Sequence, residues 1–499
     1  MAKTVKQTIR QALDWDSINW NTYKENVRCI QERIFRATRE QNWSRVKNLQ
    51  KLLVKSHSAQ LIAVRRVTQE NAGKRTAGID GKIYITSKAR ILLLEEIQKL
   101  NPMNYKCSPL KRVYIPKANG DKRPLGIPTI IDRIMQMIVK MALEPEWEAR
   151  FEPNSYGFRA GRRTQDAVSQ IWQTIRSHKT TNPSEWILDA DISGCFDNID
   201  HDFLIQQVPV FQKTIKRWLK SGIIEFGTFR MTKSGTPQGG VISPLLANIA
   251  LDGMERMFGI ETKNGNYITP SCRCGINKGI SLIRYADDFV VIARTREQII
   301  EYVLPKLKLF LMERGMKLNE AKTHIVHRTD GFDFLGFNIQ FFDGNRRICL
   351  AKPSKKSVQR HLRNIKSVLS HNKQATTLDI VKKLNPIIRG WGNYYRYSNA
   401  KESFNYVDFR VWQMLWRWCL RRHKGKDKKG KKWVRNKYFG YENGRKWVFG
   451  AKDGLCLIFT ASIPIRKYAK VKMYNSPFDP NLRQYWYKRT RGKAEYCDW

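Results

Sequence analysis

The stretch RYADDFVVIA, residues 284–293, sets two adjacent carboxylates, Asp287 and Asp288, inside an apolar run. Apolar residues also precede it, so the pattern predicts two buried strands joined by a tight hairpin bend that carries both carboxylates. Two such charges about 4 Å apart would repel by roughly 4 kcal/mol at an effective dielectric constant near 20. A divalent cation such as Mg²⁺, which prefers carboxylate oxygens, would remove that cost. A solvated turn, where aspartate is common, is the alternative interpretation of this stretch alone.

A second stretch, EWILDADISGCFDNIDH (residues 185–201), predicts another strand that carries carboxylates. Alternation along this strand puts Leu188, Ala190 and Ile192 on one face and Asp189 and Asp191 on the other. Three carboxylates delivered by two neighbouring strands suit a two-metal site. In such a site, one ion activates a 3′-hydroxyl and the other holds a triphosphate for in-line displacement.

The stretch YIPKANGDKRPLGIP, residues 114–128, predicts a strand, a glycine turn and a returning strand. Lys117 and Arg123 lie on this hairpin and can present positive charge to a triphosphate. A solvated basic turn is the alternative, because basic residues are frequent along the whole chain.

The stretch SGTPQGGVISPLLANIALDGM, residues 234–254, predicts a glycine-proline loop that opens an apolar helix. Gly239 and Gly240 permit close approach of a backbone to another group. Gln238 can form hydrogen bonds with a base or a sugar. By itself, this stretch indicates only the start of a helix.

The charge of the chain points to a polyanionic partner. The net charge is +47, from 91 Lys and Arg against 44 Asp and Glu, and the aromatic content of 11% suggests a nucleic acid with bases available for stacking. The alternative is a ribosome-like coating protein that binds phosphate only. Such proteins are usually short, whereas 499 residues with 41% hydrophobic content predict several domains with real cores.

Cysteine usage and hydropathy indicate the cellular setting. The nine cysteines are scattered, and Cys272 and Cys274 are too close together for the usual zinc pairing, so we expect free thiols in a reducing compartment. The first residues lack the apolar core of a secretory signal, and no run reaches the roughly 20 apolar residues of a membrane span. We therefore expect a cytoplasmic protein of bacterial type without a membrane partner.

Helical periodicity marks both ends of the chain. Residues 17–66 predict two helices, with apolar stripes at Val27, Ile30 and Ile34 and at Val46, Leu49, Leu52 and Leu53. After residue 353 come three stripes, at Val358, Leu362, Ile365 and Leu369, at Leu378, Val381 and Leu384, and at Phe404, Val407, Val411, Leu415 and Trp418. A basic run with helix-breaking glycines, RRHKGKDKKGKKWVRNK, begins at residue 421.

Taken in order, these segments resemble reverse transcriptases. YADD resembles the metal-binding turn of the palm, LDADISGCFDNIDH the preceding aspartate motif, GTPQGGVISPLLANI the motif between them, and GFDFLGF (331–337) the primer-grip region. Finer details resemble group II intron-encoded proteins, namely KRTAGIDG, IPKANGDKRPLGIPTIIDRIMQ, NSYGFRAGR and LNPIIRGWGNYY. The resemblance spans roughly residues 70–420, and the N-terminal helical pair fits the extension of that family.

The resemblance implies an α+β fold of the right-hand polymerase type. An antiparallel palm sheet would be backed by helices, with fingers before it and an α-helical thumb after it. Residues 1–85 would form the N-terminal helical extension and the start of the fingers, and residues 86–345 the fingers and palm. Residues 346–420 would form the thumb, or maturase domain X, and residues 421–499 a basic DNA-binding region.

Site residues follow from the resemblance by position. Asp191, Asp287 and Asp288 would be the catalytic ligands of two Mg²⁺ ions, whereas Asp189 would be structural. The dNTP substrate would be bound by Lys117 and Arg123 at its phosphates, by Phe196 as the steric gate against a 2′-hydroxyl, by Gln238 at the nascent base pair, and by Lys322 near the triphosphate. A core aromatic for Phe196 and a solvated lysine for Lys322 are the alternatives.

The resemblance also implies nucleic-acid contacts after the palm. The intron RNA would be contacted by Arg389, Trp391, Tyr394 and Tyr395. The DNA would be contacted by Arg421, Arg422, Lys428, Lys429, Lys431 and Lys432. The tryptophan-rich stripe VWQMLWRWC is instead expected in the core.

The function implied is that of a reverse transcriptase and maturase. It would bind group II intron RNA, assist its splicing, and copy it into DNA at a primed DNA target during retrohoming. The alternatives are a splicing-only maturase, which the three intact aspartates disfavour, and a reverse transcriptase of a host defence system, which LNPIIRGW disfavours.

Many relatives end in an HNH nuclease, which needs histidines and often CxxC pairs. The eight histidines here end at His423, and only Cys456 and Cys497 follow. We therefore expect no HNH site, either because the protein naturally lacks one or because the chain is truncated at EYCDW.

Overall fold

A computed structural model describes residues 14–116, 120–176, 183–232, 234–261, 267–345, 347–423, 430–442 and 444–490. The chain forms two compact units, neither of which is a continuous stretch. The first unit comprises Met1–Arg163, Ala190–His324 and Val471–Trp499, and the second comprises Thr164–Asp189 and Ile325–Lys470.

Helices and strands are numbered here in chain order. The helices are α1 Trp20–Arg39, α2 Trp43–Lys55, α3 His57–Arg65, α4 Ser87–Gln98, α5 Ile130–Arg150, α6 Thr164–Ile175, α7 Cys195–Asn198, α8 His201–Gln207, α9 Gln212–Leu219, α10 Ser243–Ala250, α11 Leu304–Met312, α12 Lys355–His371, α13 Thr377–Tyr395, α14 Lys401–Arg422, α15 Lys431–Tyr438 and α16 Arg483–Thr490. The strands are β1 Leu110–Pro116, β2 Lys122–Ile127, β3 Trp186–Ser193, β4 Ile223–Glu225, β5 Thr228–Arg230, β6 Ser281–Tyr285, β7 Asp288–Ala293, β8 Lys317–Leu318, β9 His324–His327, β10 Phe332–Phe334, β11 Phe337–Asp343, β12 Arg347–Pro353, β13 Phe439–Glu442 and β14 Arg445–Phe449. Short 3₁₀ and π turns connect several of them.

The N-terminal region contains three helices where the periodicity predicted two, so that prediction was wrong. The extra break falls at Ser56, whose extended backbone ends α2 and begins α3. Leu52, assigned to the apolar stripe of α2, is 49% exposed, whereas Val46, Leu49 and Leu53 are buried. The break at Ser56 could not be predicted from the apolar pattern, because the residues on both sides of it keep their helical spacing.

The helix α5 is the centre of the N-terminal half of the first unit. The helices α1, α2 and α3 all pack against it, and Ile134 and Ile138 in its middle are fully buried. Polar groups also cross these contacts, because the Gln31 Nε2 atom donates to the Met141 carbonyl oxygen at 2.9 Å. The N-terminal helices therefore share one core with the segment that follows the β1–β2 hairpin.

The central sheet of the first unit brings the predicted carboxylate strands together. Its strands lie in the order β6, β7, β3 and β8, and β6 and β7 pair antiparallel with Tyr285 opposite Asp288. The end of β3 pairs antiparallel with β8, where Ile192 lies opposite Leu318. The predicted antiparallel palm sheet is confirmed.

The segment Val471–Trp499 belongs to the first unit, although the sequence predicted a DNA-binding role for all of residues 421–499. Trp486 is fully buried, and a Cβ atom at Gly161 would lie 2.6 Å from its ring. Arg483 donates to both carboxylate oxygens of Glu32, at 3.0 and 2.6 Å. The described residues of this C-terminal segment therefore hold the N-terminal helices to the rest of the first unit.

The second unit combines a sheet with a helical bundle. The strands β10, β11 and β12 form an antiparallel sheet, and α6 packs on it. The stripes predicted after residue 353 form the core of α12, α13 and α14, and all their residues are buried except the half-buried Leu378. Trp412 and Trp416 pack against this core, as expected. No helix in the described part of the chain is long and apolar enough to cross a bilayer.

Two buried carboxyl groups lie next to each other in the first unit. The Glu152 Oε1 atom accepts hydrogen bonds from the backbone nitrogens of Glu255 and Arg256, both at 2.7 Å, and the Glu255 side chain accepts one from Asn154 at 2.7 Å. Both acids are 1% exposed. Burial raises the pKa of Glu152 to about 8 and that of Glu255 to about 7.

The raised pKa of Glu152 predicts a pH dependence of stability. The unfolded carboxyl group ionises near pH 4.5, whereas the folded one keeps its proton to about pH 8. The stability that Glu152 contributes is therefore full below about pH 4.5 and is lost as the pH rises through about 8. Glu152→Gln keeps an acceptor oxygen and cannot ionise. In thermal melts, the melting temperature of the variant should rise relative to that of the wild type as the pH increases from 5 to 8.

The matched control is Glu95→Gln, which changes an exposed carboxylate on α4. Its melting curve should follow the wild type at every pH. Parallel pH profiles for Glu152→Gln and the wild type would contradict the raised pKa.

Candidate active site

The predicted hairpin bend is confirmed as a two-residue turn. Ala286 and Asp287 connect β6 to β7, and Ala286 has a φ angle of +58°, as tight hairpin turns require. Asp287 is half-buried and Asp288 is exposed. The turn therefore presents both carboxylates at one end of an otherwise buried pair of strands.

The carboxylates of the turn and of β3 interact electrostatically. Burial raises the pKa of Asp287, and the charge of Asp191 raises it further, while Arg123 and Lys322 act in the opposite direction. Four of the predicted site residues thus lie within electrostatic range of one another. The last residues of β3 are positioned by β8, where the Asn319 backbone nitrogen donates to the Asp191 carbonyl oxygen at 2.8 Å.

Lys322 forms an ion pair with one of the proposed metal ligands. Its Nζ atom donates to the Asp191 Oδ2 atom at 2.6 Å, and its side chain is 66% exposed. The hydrogen bond with Asp191, with the charges of Asp191, Asp288 and Asp287, raises the pKa of Lys322. The sequence placed Lys322 near a triphosphate, and the structure places its ammonium group among the three carboxylates.

The side chains fit a hard divalent cation by their chemistry. Within the described ranges, no three His, Cys, Asp or Glu side chains are already gathered into a cation cage. Carboxylate oxygens are nevertheless the ligands that Mg²⁺ prefers. Burial, followed by the charge of Asp191, raises the pKa of Asp287, and a bound cation would stabilise the ionised carboxylate. A metal ion would compete with Lys322 for Asp191.

The GTPQGG loop joins the strand of Arg123 to the turn of Phe196. The Gly126 backbone nitrogen donates to the Gln238 carbonyl oxygen at 2.9 Å, and a Cβ atom at Gly239 would lie 2.8 Å from the Gly126 oxygen. At the other end, a Cβ atom at Gly235 would lie 2.6 Å from the Phe196 carbonyl oxygen. The glycines are needed here because two backbone segments pass within contact distance.

The predicted nucleotide-binding residues surround this loop. Phe196 lies in α7, directly after β3, and is half-buried; its ring centroid is 6.4 Å from that of Phe158 in an edge-on arrangement. Gln238 is half-buried, and Arg123 is exposed on β2. Lys117 lies outside the described residues. Phe196 is therefore not enclosed in the core, which was the alternative for this residue.

A buried support that the sequence motifs did not predict lies beneath the turn. Arg284 is fully buried, and its Nη1 atom donates to the Ala286 carbonyl oxygen at 3.1 Å and to the Asn248 Oδ1 atom at 3.0 Å. The Asn248 Nδ2 atom in turn donates to the Gly157 carbonyl oxygen at 2.8 Å. A Cβ atom at Gly157 would lie 2.3 Å from the Ala286 nitrogen, so only glycine fits there.

This support fixes the turn at Ala286, the residue of positive φ. The Ala286 carbonyl oxygen accepts a hydrogen bond from Arg284, and the Ala286 nitrogen packs against Gly157. The sequence did carry a signal, namely an arginine inside the apolar run ISLIRYA. An arginine is almost never fully buried without partners.

The predicted RNA contacts differ in accessibility. Arg389 is exposed. Trp391 is half-buried and stacks on His361 at 4.6 Å. The Tyr394 hydroxyl donates to the Leu335 carbonyl oxygen at 2.9 Å, and Tyr395 is 3% exposed. The predicted RNA contact of Tyr395 is therefore corrected. Its ring is packed inside the second unit, and its hydroxyl already donates to the Gly336 carbonyl oxygen at 3.0 Å.

The predicted DNA contacts are also mixed. Arg421 on α14 is exposed, as are Lys431 and Lys432 on α15. Arg422 donates to the Ala375 carbonyl oxygen and lies 4.5 Å from the Trp418 ring centroid, so it supports the bundle. Lys428 and Lys429 lie outside the described residues.

Three regions of the chain match known protein families. Residues 115–339 match reverse transcriptase (RNA-dependent DNA polymerase), residues 15–97 match the N-terminal domain of reverse transcriptase, and residues 358–439 match the group II intron, maturase-specific domain. The first match contains all three aspartates of the site. The third contains α13, α14 and α15.

Curated relatives agree with these matches. Protein YkfC of Escherichia coli (strain K12) is 34% identical, over 55% of this chain and 78% of its own length. The group II intron-encoded protein LtrA of Lactococcus lactis subsp. cremoris is 28% identical, over 71% of this chain and 72% of its own. Maturase-like protein 1 of Euglena gracilis is 28% identical, over 77% of each chain. The chain belongs to the group II intron-encoded proteins, and it is an RNA-directed DNA polymerase joined to a maturase domain.

Proposed function

We propose that this protein binds a group II intron RNA, assists its splicing, and copies it into DNA at a primed DNA target by two-metal nucleotidyl transfer. Its place of action would be the cytoplasm of a bacterial cell, where the intron RNA and the target DNA meet. The observation that carries the proposal is the geometry at one edge of the palm sheet, where the turn between β6 and β7 carries Asp287 and the Lys322 Nζ atom lies 2.6 Å from the Asp191 Oδ2 atom.

In this proposal, Asp191, Asp287 and Asp288 hold two Mg²⁺ ions. Such a pair supplies activation of a primer 3′-hydroxyl and neutralisation of charge on the dNTP triphosphate. The carboxylates lie on two paired elements of a buried sheet, so their separation is set by the backbone. Partial burial strengthens their attraction to cations relative to that of fully solvated carboxylates.

The remaining residues would bind and orient the dNTP. Arg123 is exposed on β2 and would contact the phosphates, together with Lys117, which follows β1 in the sequence. Lys322 would leave Asp191 and pair with the triphosphate, since its long side chain is mostly exposed. The half-buried ring of Phe196 would exclude a 2′-hydroxyl, and Gln238 would contact the nascent base pair.

The role of each region of the chain is also part of this proposal. Residues 1–85 would serve as extension and fingers, residues 86–345 as fingers and palm, and residues 346–420 as thumb and maturase domain. Among the exposed basic residues, Arg389 would contact intron RNA, and Arg421, Lys431 and Lys432 would contact DNA. Residues 421–499 would bind DNA, and the segment Val471–Trp499 within them belongs to the first unit.

Asp288→Asn tests whether DNA synthesis and assistance of splicing depend on different parts of the protein. The change removes one charge from the carboxylate group and keeps the size of the side chain. We expect primer extension on an RNA template to fall by a factor of about 100 or more, since metal stabilisation of the transition state amounts to several kcal/mol and about 1.4 kcal/mol is a factor of ten. Protein-assisted splicing at low Mg²⁺ should be retained, because that chemistry belongs to the RNA.

Asp202→Asn, an exposed carboxylate on α8, is the control and should retain both activities. Primer extension that survives in Asp288→Asn would sink the assignment of the turn. Loss of splicing in a folded Asp288→Asn protein would favour a direct role of the palm carboxylates toward RNA.

Phe196→Val tests the sugar gate. If the ring lies against the incoming sugar, its removal should raise the incorporation of ribonucleotides relative to deoxyribonucleotides, within the roughly 10–200-fold range of small apolar contacts. The measurement is steady-state incorporation of each nucleotide. Phe203→Val removes another half-buried ring, one that lies against Arg314, and should leave the ratio unchanged. An unaltered ratio in Phe196→Val, with intact deoxyribonucleotide activity, would assign that ring to packing.

Arg284→Lys tests the support beneath the turn. In the wild type, one guanidinium nitrogen, Nη1, donates to both Ala286 and Asn248. The lysine side chain is shorter and lacks the planar guanidinium, so its ammonium group should not reach the position of Nη1. The Mg²⁺ concentration for half-maximal synthesis should rise by about 10–100-fold, the usual cost of losing a group that orients metal ligands. Arg328→Lys changes a similarly buried arginine in the second unit and should lower the melting temperature alone. An unchanged Mg²⁺ requirement in a folded Arg284→Lys protein would limit Arg284 to packing.

A further inference from the structure

A pocket of about 410 Å³ lies between α12 and α14 in the second unit. Its apolar lining is Leu369, Met414 and Trp418, and the hydroxyl of Ser370 and the amide of Gln413 also face it. The volume falls within the range of about 300–1,000 Å³ that is usual for small-molecule pockets. This concave surface is separate from the carboxylates of the first unit.

Six cations line this pocket, and no acidic side chain does. They are Lys366, Lys373, Arg410, Arg417, Arg421 and Arg422. In the part of the chain that the structure describes, none of the six forms an ion pair with a carboxylate. The pocket therefore carries a concentrated positive charge that no ion pair among the described residues neutralises.

The cations on α14 repeat along one face of the helix. Arg410, Arg417 and Arg421 are seven and four residues apart, a spacing that stacks side chains on the same side. Like charges so arranged destabilise a helix. The Arg410 Nε atom is also buried without a hydrogen-bond partner. Both features are unfavourable in the free protein, and an anion in the pocket would relieve them.

We propose that this pocket binds one unstacked nucleotide of the intron RNA. The proposal rests on the function proposed above and adds the place and the manner of contact. A phosphate backbone alone needs only cations on an open surface. A concave site with an apolar lining under those cations fits the face of a base, which is how proteins recognise unpaired RNA nucleotides.

The parts of the pocket match the parts of a nucleotide. The base would lie against Leu369 and Met414, since the Arg422 guanidinium already covers one side of the Trp418 ring at 4.5 Å. Gln413 carries a donor and an acceptor for base edges. The Ser370 hydroxyl donates to the Ser367 carbonyl oxygen at 2.9 Å and can accept a hydrogen bond from a base. The exposed ammonium and guanidinium groups of Lys373 and Arg417 would hold the flanking phosphates. RNA is favoured over DNA because the matched maturase-specific domain, residues 358–439, contains every residue of the pocket. In this pocket, Arg421 would face RNA in place of the DNA contact proposed for it above.

The test compares two RNA duplexes that differ by one unpaired uridine. Fluorescence anisotropy with the full-length protein should give about tenfold tighter binding to the bulged duplex, the scale expected for one stacked or enclosed base. Ser370→Trp fills the pocket and keeps all six cations. It should abolish the preference and leave the affinity for the perfect duplex unchanged.

Ser367→Trp is the matched control, because Ser367 is exposed on the same helix and does not line the pocket. It should retain the preference. Arg417→Gln should weaken binding of both duplexes, whereas Arg363→Gln, on an exposed part of α12 outside the pocket, should weaken them less.

Three results would overturn the proposal: equal affinity of the wild type for both duplexes, a preference that survives in Ser370→Trp, or an equal preference for a bulged DNA duplex of the same sequence. Primer extension on an unrelated RNA template separates this question from the enzyme. Ser370→Trp should synthesise DNA at the wild-type rate. Absence of synthesis by the wild type would count against the proposed function, whereas loss of the uridine preference would count only against the pocket.

Discussion

The support beneath the turn that carries Asp287 is the constraint on which the geometry of the palm site depends. Burial raises the pKa of the Asp287 carboxyl group, and the charge of Asp191 raises it further. The buried Arg284 guanidinium holds the turn by donating to the Ala286 carbonyl oxygen. Gly157 lets a second backbone segment pass directly beneath the turn.

The same constraint explains the glycines and cations around the site. Gly235 and Gly239 allow one loop to touch both the turn of Phe196 and the strand of Arg123, so the proposed nucleotide contacts are held by backbone and do not depend on long side chains. Lys322 supplies a positive charge to Asp191 from a flexible and exposed side chain. Its ion pair can therefore be exchanged for a metal ion at little cost in structure, since exposed ion pairs contribute little to stability.

In the second unit, the charges that lie close together are positive. Its helical bundle is held by an apolar core, and the stripes of α12, α13 and α14 account for most of that core. Six cations outside this core line a pocket to which no acidic side chain of the described residues contributes. A protein with 91 Lys and Arg against 44 Asp and Glu cannot pair all its cations internally, and binding to a polyanion is the physical means by which such charge is compensated.

The sequence by itself determined the features that depend on local pattern. The apolar runs on either side of Asp287 and Asp288 specified the hairpin, the helical stripes specified the bundle, and the ordered motifs specified the family. These signals are local because the period of a strand or helix is written in consecutive residues. Only the tertiary structure decided that Arg284 supports the turn, that Lys322 pairs with Asp191, that Trp486 packs against Gly161, and that Tyr395 is enclosed in the second unit. Each of these contacts joins side chains to segments whose approach is set by packing of the whole unit. A periodic pattern in one segment carries no information about which distant segment will cover it.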